Sequence, residues 1–208
     1  MATTNDPGTR EARTRPKLAW PPRDGVFRFT VEQFYQLDEL GFFEGRKVEL
    51  IRGVLHEMTI HTPHATASRL ANEILRRIFR DGWVVSDALP LDLGRRSLLE
   101  PDFSVVRGSA RDFARAHPTT SALVVEVSET TLRKDRTIKA HLYAQAGLPE
   151  YWIVNLVERQ LEVHREPGAD PARRGRFRYA QVTTVPESGR ISPLAAPQAE
   201  VAVADLLP

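Results

Sequence analysis

The segment Leu123-Val-Val-Glu-Val127 constrains the fold more than any other part of the sequence. A nearly continuous run of β-branched and apolar residues is typical of a strand that is covered on both faces. Glu126 interrupts the run, and an ionised carboxylate in apolar surroundings is costly unless a cation or hydrogen-bond donors compensate it. The alternative, a solvent-facing acid on an edge strand, fits the apolar neighbours less well. The sequence therefore predicts a central strand that carries a buried, partnered acid.

The remaining pattern predicts helices and strands in an order that suits a layered domain. A Thr30 to Gln33 capping box begins a helix over 31–40, an amphipathic helix follows Pro63, and a third covers 131–146 with Ile138, Leu142 and Ala146 on its buried side. Strands are predicted at 47–51, 54–58, 83–86, 89–93, 103–106, 123–128, 151–154, 160–165, 176–184 and 199–206. This order predicts an α/β (α+β) fold with a mixed central β-sheet flanked by helices.

Length and composition favour a single folded domain. We expect residues 1–25 of the 208 to form a flexible tail and residues 26–208 to form one domain. No run approaches the roughly 20 apolar residues of a membrane helix, and the start lacks the apolar core of a secretion signal, so we expect a cytoplasmic protein and no membrane partner. Because the chain has no Cys, any metal must be bound by oxygen or by His nitrogen.

The basic residues are unevenly divided between arginine and lysine. Only Lys17, Lys47, Lys134 and Lys139 are lysines among 29 basic residues, so a lysine in a candidate site is more informative than in a Lys-rich chain. The net charge of +2 is too small to indicate nucleic-acid binding by itself.

Two acids and one lysine suggest metal-dependent hydrolysis. Asp102 follows Pro101 at the start of a predicted strand, and if that strand neighbours the one with Glu126, both carboxylates can bind one Mg²⁺ or Mn²⁺. The backbone carbonyl of Val127 is a further candidate ligand. Glu49 adds a third acid for a second metal or a water, and Lys139 lies on the helix after Glu126. Phosphodiester hydrolysis uses such a set, in which carboxylates hold a metal and a cation positions water.

Other groups are open to more than one interpretation. His56, His61 and His64 lie close together, but a zinc site usually needs a more complete ligand set. His64 could instead face the active-site groove. Arginines on the helix after Pro63 and in the loop 107–120 fit either a solvated surface or phosphate binding.

Several segments together resemble the Uma2 family, formerly a domain of unknown function and assigned to the PD-(D/E)XK nuclease superfamily. They are Val48-Glu-Leu-Ile-Arg-Gly53, Pro101-Asp102, Val124-Val-Glu-Val-Ser128, Asp135-x-x-x-Lys139-x-x-x-Tyr143 and Gly147-Leu-Pro-Glu-Tyr-Trp-Ile-Val154. The resemblance covers about residues 27 to 165. It implies a restriction-endonuclease-like core with Asp102 and Glu126 as metal ligands and Glu49 as an additional acid.

One position departs from the standard pattern of that superfamily. The lysine that usually follows the acid by two residues is replaced by Ser128. The resemblance implies a lysine displaced to the next helix, which matches Lys139, and Asp135 one turn earlier could orient its amine.

The sequence thus predicts a metal-dependent endonuclease that acts on DNA. A homodimer is expected, because cutting both strands needs two active sites. The alternative is a nuclease-like fold that has lost catalysis and binds nucleic acid or a protein. A glycosidase using the same acids would need an aromatic cleft, which 8% aromatic residues do not favour.

Overall fold

The structure is a computed structural model that describes residues 25–58 and 62–208. The predicted tail, apart from Gly25, and His61 lie outside the described residues. Within the described ranges, no helix is long and apolar enough to cross a membrane.

The helical elements are short except for one. They are α1 (Val31–Glu39), α2 (Thr62–Ile78), α3 (Leu132–Lys134), a π-helical turn (Asp135–Lys139), α4 (Ala140–Gln145) and two 3₁₀ turns (Ala110–Phe113 and Val203–Leu206). The Thr30 capping box predicted for α1 is confirmed, since Thr30 Oγ1 accepts from the Gln33 amide and the Gln33 side chain accepts from the Thr30 amide.

The strands form two main sheets and one short pair. They are β1 (Val48–Ile51), β2 (Val54–Glu57), β3 (Trp83–Asp87), β4 (Leu91–Asp92), β5 (Leu98–Leu99), β6 (Phe103–Arg107), β7 (Leu123–Ser128), β8 (Glu150–Asn155), β9 (Gln160–Ala169), β10 (Phe177–Pro186), β11 (Arg190–Ile191) and β12 (Val201–Ala202). The larger sheet has the order β10-β9-β8-β7-β6-β3, and the smaller has the order β2-β1-β5-β4.

Strand β7 lies inside the larger sheet, as its apolar sequence predicts. It pairs parallel with β8 and antiparallel with β6, so the sheet is mixed. All six residues of β7 are buried. The predicted α/β architecture with a mixed central sheet is therefore confirmed.

Helices cover the two faces of β7 separately. Val125 and Val127 belong to the cluster that includes Ala71 and Leu75 of α2. Val124 belongs instead to the cluster that contains Leu142 and Tyr143 of α4. Because successive strand residues point to opposite faces, Glu126 shares the α4 face with Val124.

Some predicted elements are wrong in extent. The predicted strand 89–93 is reduced to Leu91–Asp92, and 199–206 contains the two-residue β12 followed by a 3₁₀ turn. Strands β5 and β11 were not predicted. Two-residue strands are too short to show the alternation by which strands are detected in a sequence.

The buried side predicted for the third helix is confirmed at Leu142 and wrong at its other two residues. Ile138 is 36% exposed and Ala146 is exposed, whereas Lys139 is only 3% exposed and Asp135 1%. The apolar pattern placed Ile138 inside, but buried partners for the two charged side chains make their burial tolerable. The predicted single helix is divided by the π-helical turn that contains both of them.

Candidate active site

Asp102 directly precedes β6 and Glu126 lies in β7, so the pairing of these two strands brings the two acids close together. Phe103 pairs with Val125, so the next step in the same register sets Asp102 opposite Glu126. The Val127 amide donates a hydrogen bond to Asp102 Oδ2 at 2.7 Å, which ties the acid to the central strand. The two strands are therefore neighbours, which is the condition that the predicted metal clamp requires.

Glu126 is a buried acid with two donors. Its side chain is 5% exposed, and its Oε1 accepts from Lys139 Nζ at 2.8 Å and from the Tyr143 hydroxyl at 2.7 Å. Burial raises the pKa of Glu126 above its usual range, the Lys139 ammonium opposes this, and Asp135, Asp102 and Glu49 raise the pKa further. A cation close to Glu126 reduces the repulsion among these carboxylates, and Lys139 supplies one.

Lys139 is the cation at the centre of the group. Its Nζ lies 2.8 Å from Glu126 Oε1, 3.6 Å from Glu49 Oε2 and 4.0 Å from Asp135 Oδ1. Burial disfavours its charge, but Glu126, Glu49 and Asp135 outweigh that effect and raise the pKa of Lys139 above its ordinary value. Lys139 is therefore protonated at neutral pH.

Ser128, which occupies the usual lysine position, holds the turn that carries Lys139. Asp135 Oδ2 accepts hydrogen bonds from Ser128 Oγ at 2.7 Å and from Thr131 Oγ1 at 2.6 Å. Asp135 Oδ1 is buried and has no hydrogen-bond partner among the described residues. The serine thus fixes the π-helical turn to the end of β7, and the displaced lysine reaches the acid from that turn.

Glu49 lies next to Lys134 and Lys139 in the folded protein. It is fully buried, its Oε1 accepts from Lys134 Nζ at 2.8 Å, and its Oε2 lies 3.6 Å from Lys139 Nζ without a hydrogen bond. Lys134 was not singled out in the sequence, although the scarcity of lysine could have drawn attention to it. Glu49 and Lys134 are 85 positions apart, so no local pattern links them.

A cavity of about 90 Å³ opens onto the two central acids. Five carboxylate residues and three lysines line it, together with the backbone or side chains of neighbouring residues. The charged lining residues are Glu57, Glu100, Asp102, Glu126, Glu129, Lys47, Lys134 and Lys139. Acids outnumber lysines in this lining, so its formal charge is negative. Glu49 is not part of this lining.

The residues that line the cavity suit a cation that is bound by only a few side chains and by water. Within the described ranges, no group of three or more His, Asp or Glu side chains could by itself hold a metal ion. Asp102, Glu126 and Val127 do line one cavity, and Glu129 Oε2 is buried beside them without a hydrogen-bond partner among the described residues. Mg²⁺ is usually bound through one or two carboxylates and keeps several waters, so this donor set suits it.

His64 and Tyr143 are site residues that the sequence indicated only weakly. His64 Nε2 lies 3.2 Å from Asp102 Oδ2, and Ser68 Oγ lies 3.4 Å from the other ring nitrogen. The hydrogen bond with Asp102 raises the pKa of His64. Tyr143 was predicted as a packing residue and does pack on Tyr151, with ring centroids 4.9 Å apart, but its hydroxyl also binds Glu126. His64 lines the cavity, as the sequence allowed.

Comparison with known proteins identifies a family and solved structures with a related fold. The Uma2 family, described as "Putative restriction endonuclease", matches residues 31–204. No curated protein matches the chain. A solved structure from Anabaena variabilis ATCC 29413, described as a "putative nuclease belonging to DUF820", is 15% identical and superposes with a TM-score of 0.60. The match covers 86% of this chain and 97% of that one, and at this identity it establishes the fold alone.

The family match includes every acid and lysine of the site. Asp102, Glu126, Lys139, Glu49 and Lys134 all lie inside the matched range. Family and fold together indicate a nuclease of the restriction-endonuclease type. Since the matched range spans most of the sequence, the chain belongs to the Uma2 family.

Proposed function

We propose that this protein is a Mg²⁺- or Mn²⁺-dependent endonuclease that hydrolyses phosphodiester bonds in DNA. The observation that carries the proposal is the 2.8 Å contact between Lys139 Nζ and Glu126 Oε1, at a cavity that Asp102 shares. Two carboxylates and a protonated lysine are the groups that metal-assisted phosphodiester hydrolysis requires.

Asp102, Glu126 and the backbone carbonyl of Val127 would hold the metal ion. When bound, the ion would polarise the phosphate and lower the pKa of a coordinated water. Asp102 is oriented for this by the Val127 amide, and Glu126 by the Tyr143 hydroxyl. These hydrogen bonds fix the acids before substrate arrives, which lowers the cost of organising the site.

Lys139 would donate hydrogen bonds to the attacking water or to the phosphate oxygens as negative charge develops. Its ammonium is held by Glu126, Glu49 and Asp135 and is protonated at neutral pH. We assign Glu49 a positioning role, because it contacts Lys139 and Lys134. The sequence predicted a second metal or a water for Glu49, and we prefer the positioning role because Glu49 does not line the cavity.

A plasmid-nicking assay tests the proposal directly. Purified protein is incubated with supercoiled plasmid in Mg²⁺, Mn²⁺ or EDTA, alongside Asp102→Asn, Glu126→Gln and the control Glu73→Gln, an exposed acid on α2. Wild type and the control should nick only with metal, and the two site variants should lose about 100-fold or more in rate. Circular dichroism verifies that the variants are folded. Equal nicking by folded Asp102→Asn would overturn the proposal.

One observation favours a second candidate, a nuclease-like module that binds without cutting. Lys139 and Tyr143 already occupy Glu126 Oε1, and Ser128 takes the standard lysine position. Calorimetric titration with Mn²⁺ separates the candidates. A catalytic site binds the ion in wild type and loses binding in Asp102→Asn, whereas a non-catalytic module gives no Asp102-dependent heat.

A homodimer belongs to the same proposal, because two active sites are needed to cut both strands of a duplex. Analytical ultracentrifugation, with and without a short duplex, measures the number of chains in the particle. A single chain per duplex, combined with nicking of one strand only, would contradict the dimer.

A further inference from the structure

Four arginines from three separate segments surround a groove beside α4. The groove has a volume of about 630 Å³, and among the described residues no Asp or Glu lines it. Its polar side chains are those of Arg28, Arg52, Arg95, Arg96, Ser97 and Gln145. Arg95 and Arg96 are exposed, so the groove is open to a large partner. We refer to Arg28, Arg52, Arg95 and Arg96 as the arginine cluster.

Backbone contacts hold the segments of the cluster together. The Gly53 amide donates to the Arg96 carbonyl at 2.7 Å, and the Arg52 amide donates to Ser97 Oγ at 3.2 Å. A Cβ atom on Gly53 would lie only 2.7 Å from Arg28 Cβ, so glycine is required for this close approach. The arginine side chains therefore start from a fixed framework.

Arg52 occupies a backbone conformation that its residue type rarely adopts. Its φ is 51°, and that of Gly53 is 80°, which is the pattern of a type I′ hairpin turn. Asn, Asp or Gly is usual at the first of these positions. Asn suits this turn better than Arg, so Arg52→Asn removes the cationic side chain without disturbing the backbone.

Among the described residues, no acid neutralises the charges of Arg52, Arg95 and Arg96. Burial, followed by the charges of Arg176 and Arg28, lowers the pKa of Arg52. An anion in the groove would relieve this repulsion, and an extended polyanion would contact several arginines at once.

The cavity and the arginine cluster lie at the two ends of the β1–β2 hairpin. Lys47, next to the start of β1, lines the cavity, and Arg52 in the turn lines the groove. Leu142, three positions after Lys139, also lines the groove. The five residues from Lys47 to Arg52 span about 17 Å along the strand, or about five nucleotide steps of B-form DNA.

We propose that the arginine cluster binds the phosphates of the DNA strand that extends from the active site. This inference rests on the proposed function. The contacts are to the phosphate backbone and are independent of base sequence, because arginine is the one charged residue type among the described residues that line the groove.

The test is the salt dependence of DNA binding, measured by fluorescence anisotropy in EDTA so that no cutting occurs. The variant Arg95→Gln/Arg96→Gln is compared with wild type and with Arg159→Gln/Arg190→Gln, two exposed arginines that form ion pairs with Glu187 and Glu200. Losing two phosphate contacts should make the slope of log affinity against log salt shallower by about 1.8, with affinity down about tenfold or more at low salt. The control should match wild type.

Arg52→Asn separates binding from folding. Asn is favoured in a type I′ turn, so thermal stability should be unchanged or higher while the slope becomes shallower by about 0.9. Unchanged affinity and slope in both cluster variants would overturn the inference, as would wild type that does not bind DNA.

A parallel nicking assay distinguishes the two proposals. If wild type nicks plasmid and the cluster variants bind DNA like wild type, the cluster proposal is rejected and the nuclease proposal stands. If wild type never nicks plasmid but binds DNA through the cluster, the nuclease proposal is rejected and the cluster remains a DNA-binding surface.

Discussion

Lys139 donates a hydrogen bond to Glu126 at 2.8 Å, and both side chains are at most 5% exposed. The lysine comes from a π-helical turn and the acid from the central strand. A buried pair of this kind rarely adds much net stability, but loss of one partner leaves an uncompensated charge. Single π-helical turns recur at functional sites, which agrees with the place of Lys139 in the cavity.

The buried pair should show strong thermodynamic coupling. Lys139→Met and Glu126→Gln should each lower the free energy of unfolding by about 3 to 5 kcal/mol, and the double variant should lose less than the sum. Urea denaturation of the four proteins measures this. The exposed pair Arg159 and Glu187 is the control, with little or no coupling expected because solvent screens it. Additive losses at Lys139 and Glu126 would contradict the role of the pair.

Tyr143→Phe should remove a hydrogen bond to Glu126 and leave the packing of the core intact. The change removes the hydroxyl that donates to Glu126 Oε1 but keeps the ring that packs on Tyr151. A hydrogen bond to a charged group contributes about 1.5 to 3 kcal/mol, so unfolding free energy should fall by that amount. Urea denaturation and the nicking rate are measured together. Full stability with full activity would show that the hydroxyl does not support Glu126.

Metal should stabilise the folded protein through Asp102. An ion that binds only the native state adds about 2.7 kcal/mol at 100 times its Kd, which raises the melting temperature. Thermal melting of wild type and Asp102→Asn in increasing Mg²⁺ or Mn²⁺ measures the effect. Wild type should shift and the variant should not. Equal shifts in both proteins would assign the ion to another site.

The free energy of unfolding should decrease as the pH falls from about 6.5 to about 4, because protonation of His164 favours the unfolded chain in this range. Burial lowers the pKa of His164 to about 4, with Glu162 opposing the change, and this side chain lies between Tyr151 and Tyr179. Between the unfolded value of about 6.5 and about 4, the unfolded chain binds a proton that the native protein does not. Acidification through this window should therefore cost up to about 3 kcal/mol.

The comparison with His164→Phe isolates that contribution from other titrating groups. The phenyl ring keeps the aromatic packing and removes the proton, as well as the buried Nε2 that has no hydrogen-bond partner among the described residues. Urea denaturation at several pH values from about 7 to about 4 should give a smaller loss in the variant. Parallel pH curves for the two proteins would show that His164 does not titrate as expected.

The central strand and its buried acid could be predicted because burial follows from the apolar composition of the local sequence. The apolar neighbours of Glu126 required cover on both faces, and the Pro101-Asp102 segment leads into the strand next to it. The capping box of α1 was predictable for the same reason, since its donors and acceptors are three residues apart. Short strands such as β5 were missed because two residues show no period.

The partners of the buried charged side chains could not be predicted from the local hydrophobic pattern of the sequence. Ile138 looked like the core residue of its helix, yet the structure buries Lys139 and exposes Ile138. The reason is that Glu126 and Glu49, both distant in sequence, compensate the lysine, and a hydrophobic pattern contains no information on such partners. Lys134 reaches Glu49 in the same way.

The sequence by itself determined a buried acid in a central strand, because an apolar run must be covered wherever it lies. Only the tertiary structure decided which lysine reaches that acid, with Ser128 holding Asp135 and Lys139 supplying the charge. It also decided that arginines from three segments form one groove. Electrostatic and hydrogen-bonding partners are selected by distance in space, and the packing of sheets and helices sets that distance.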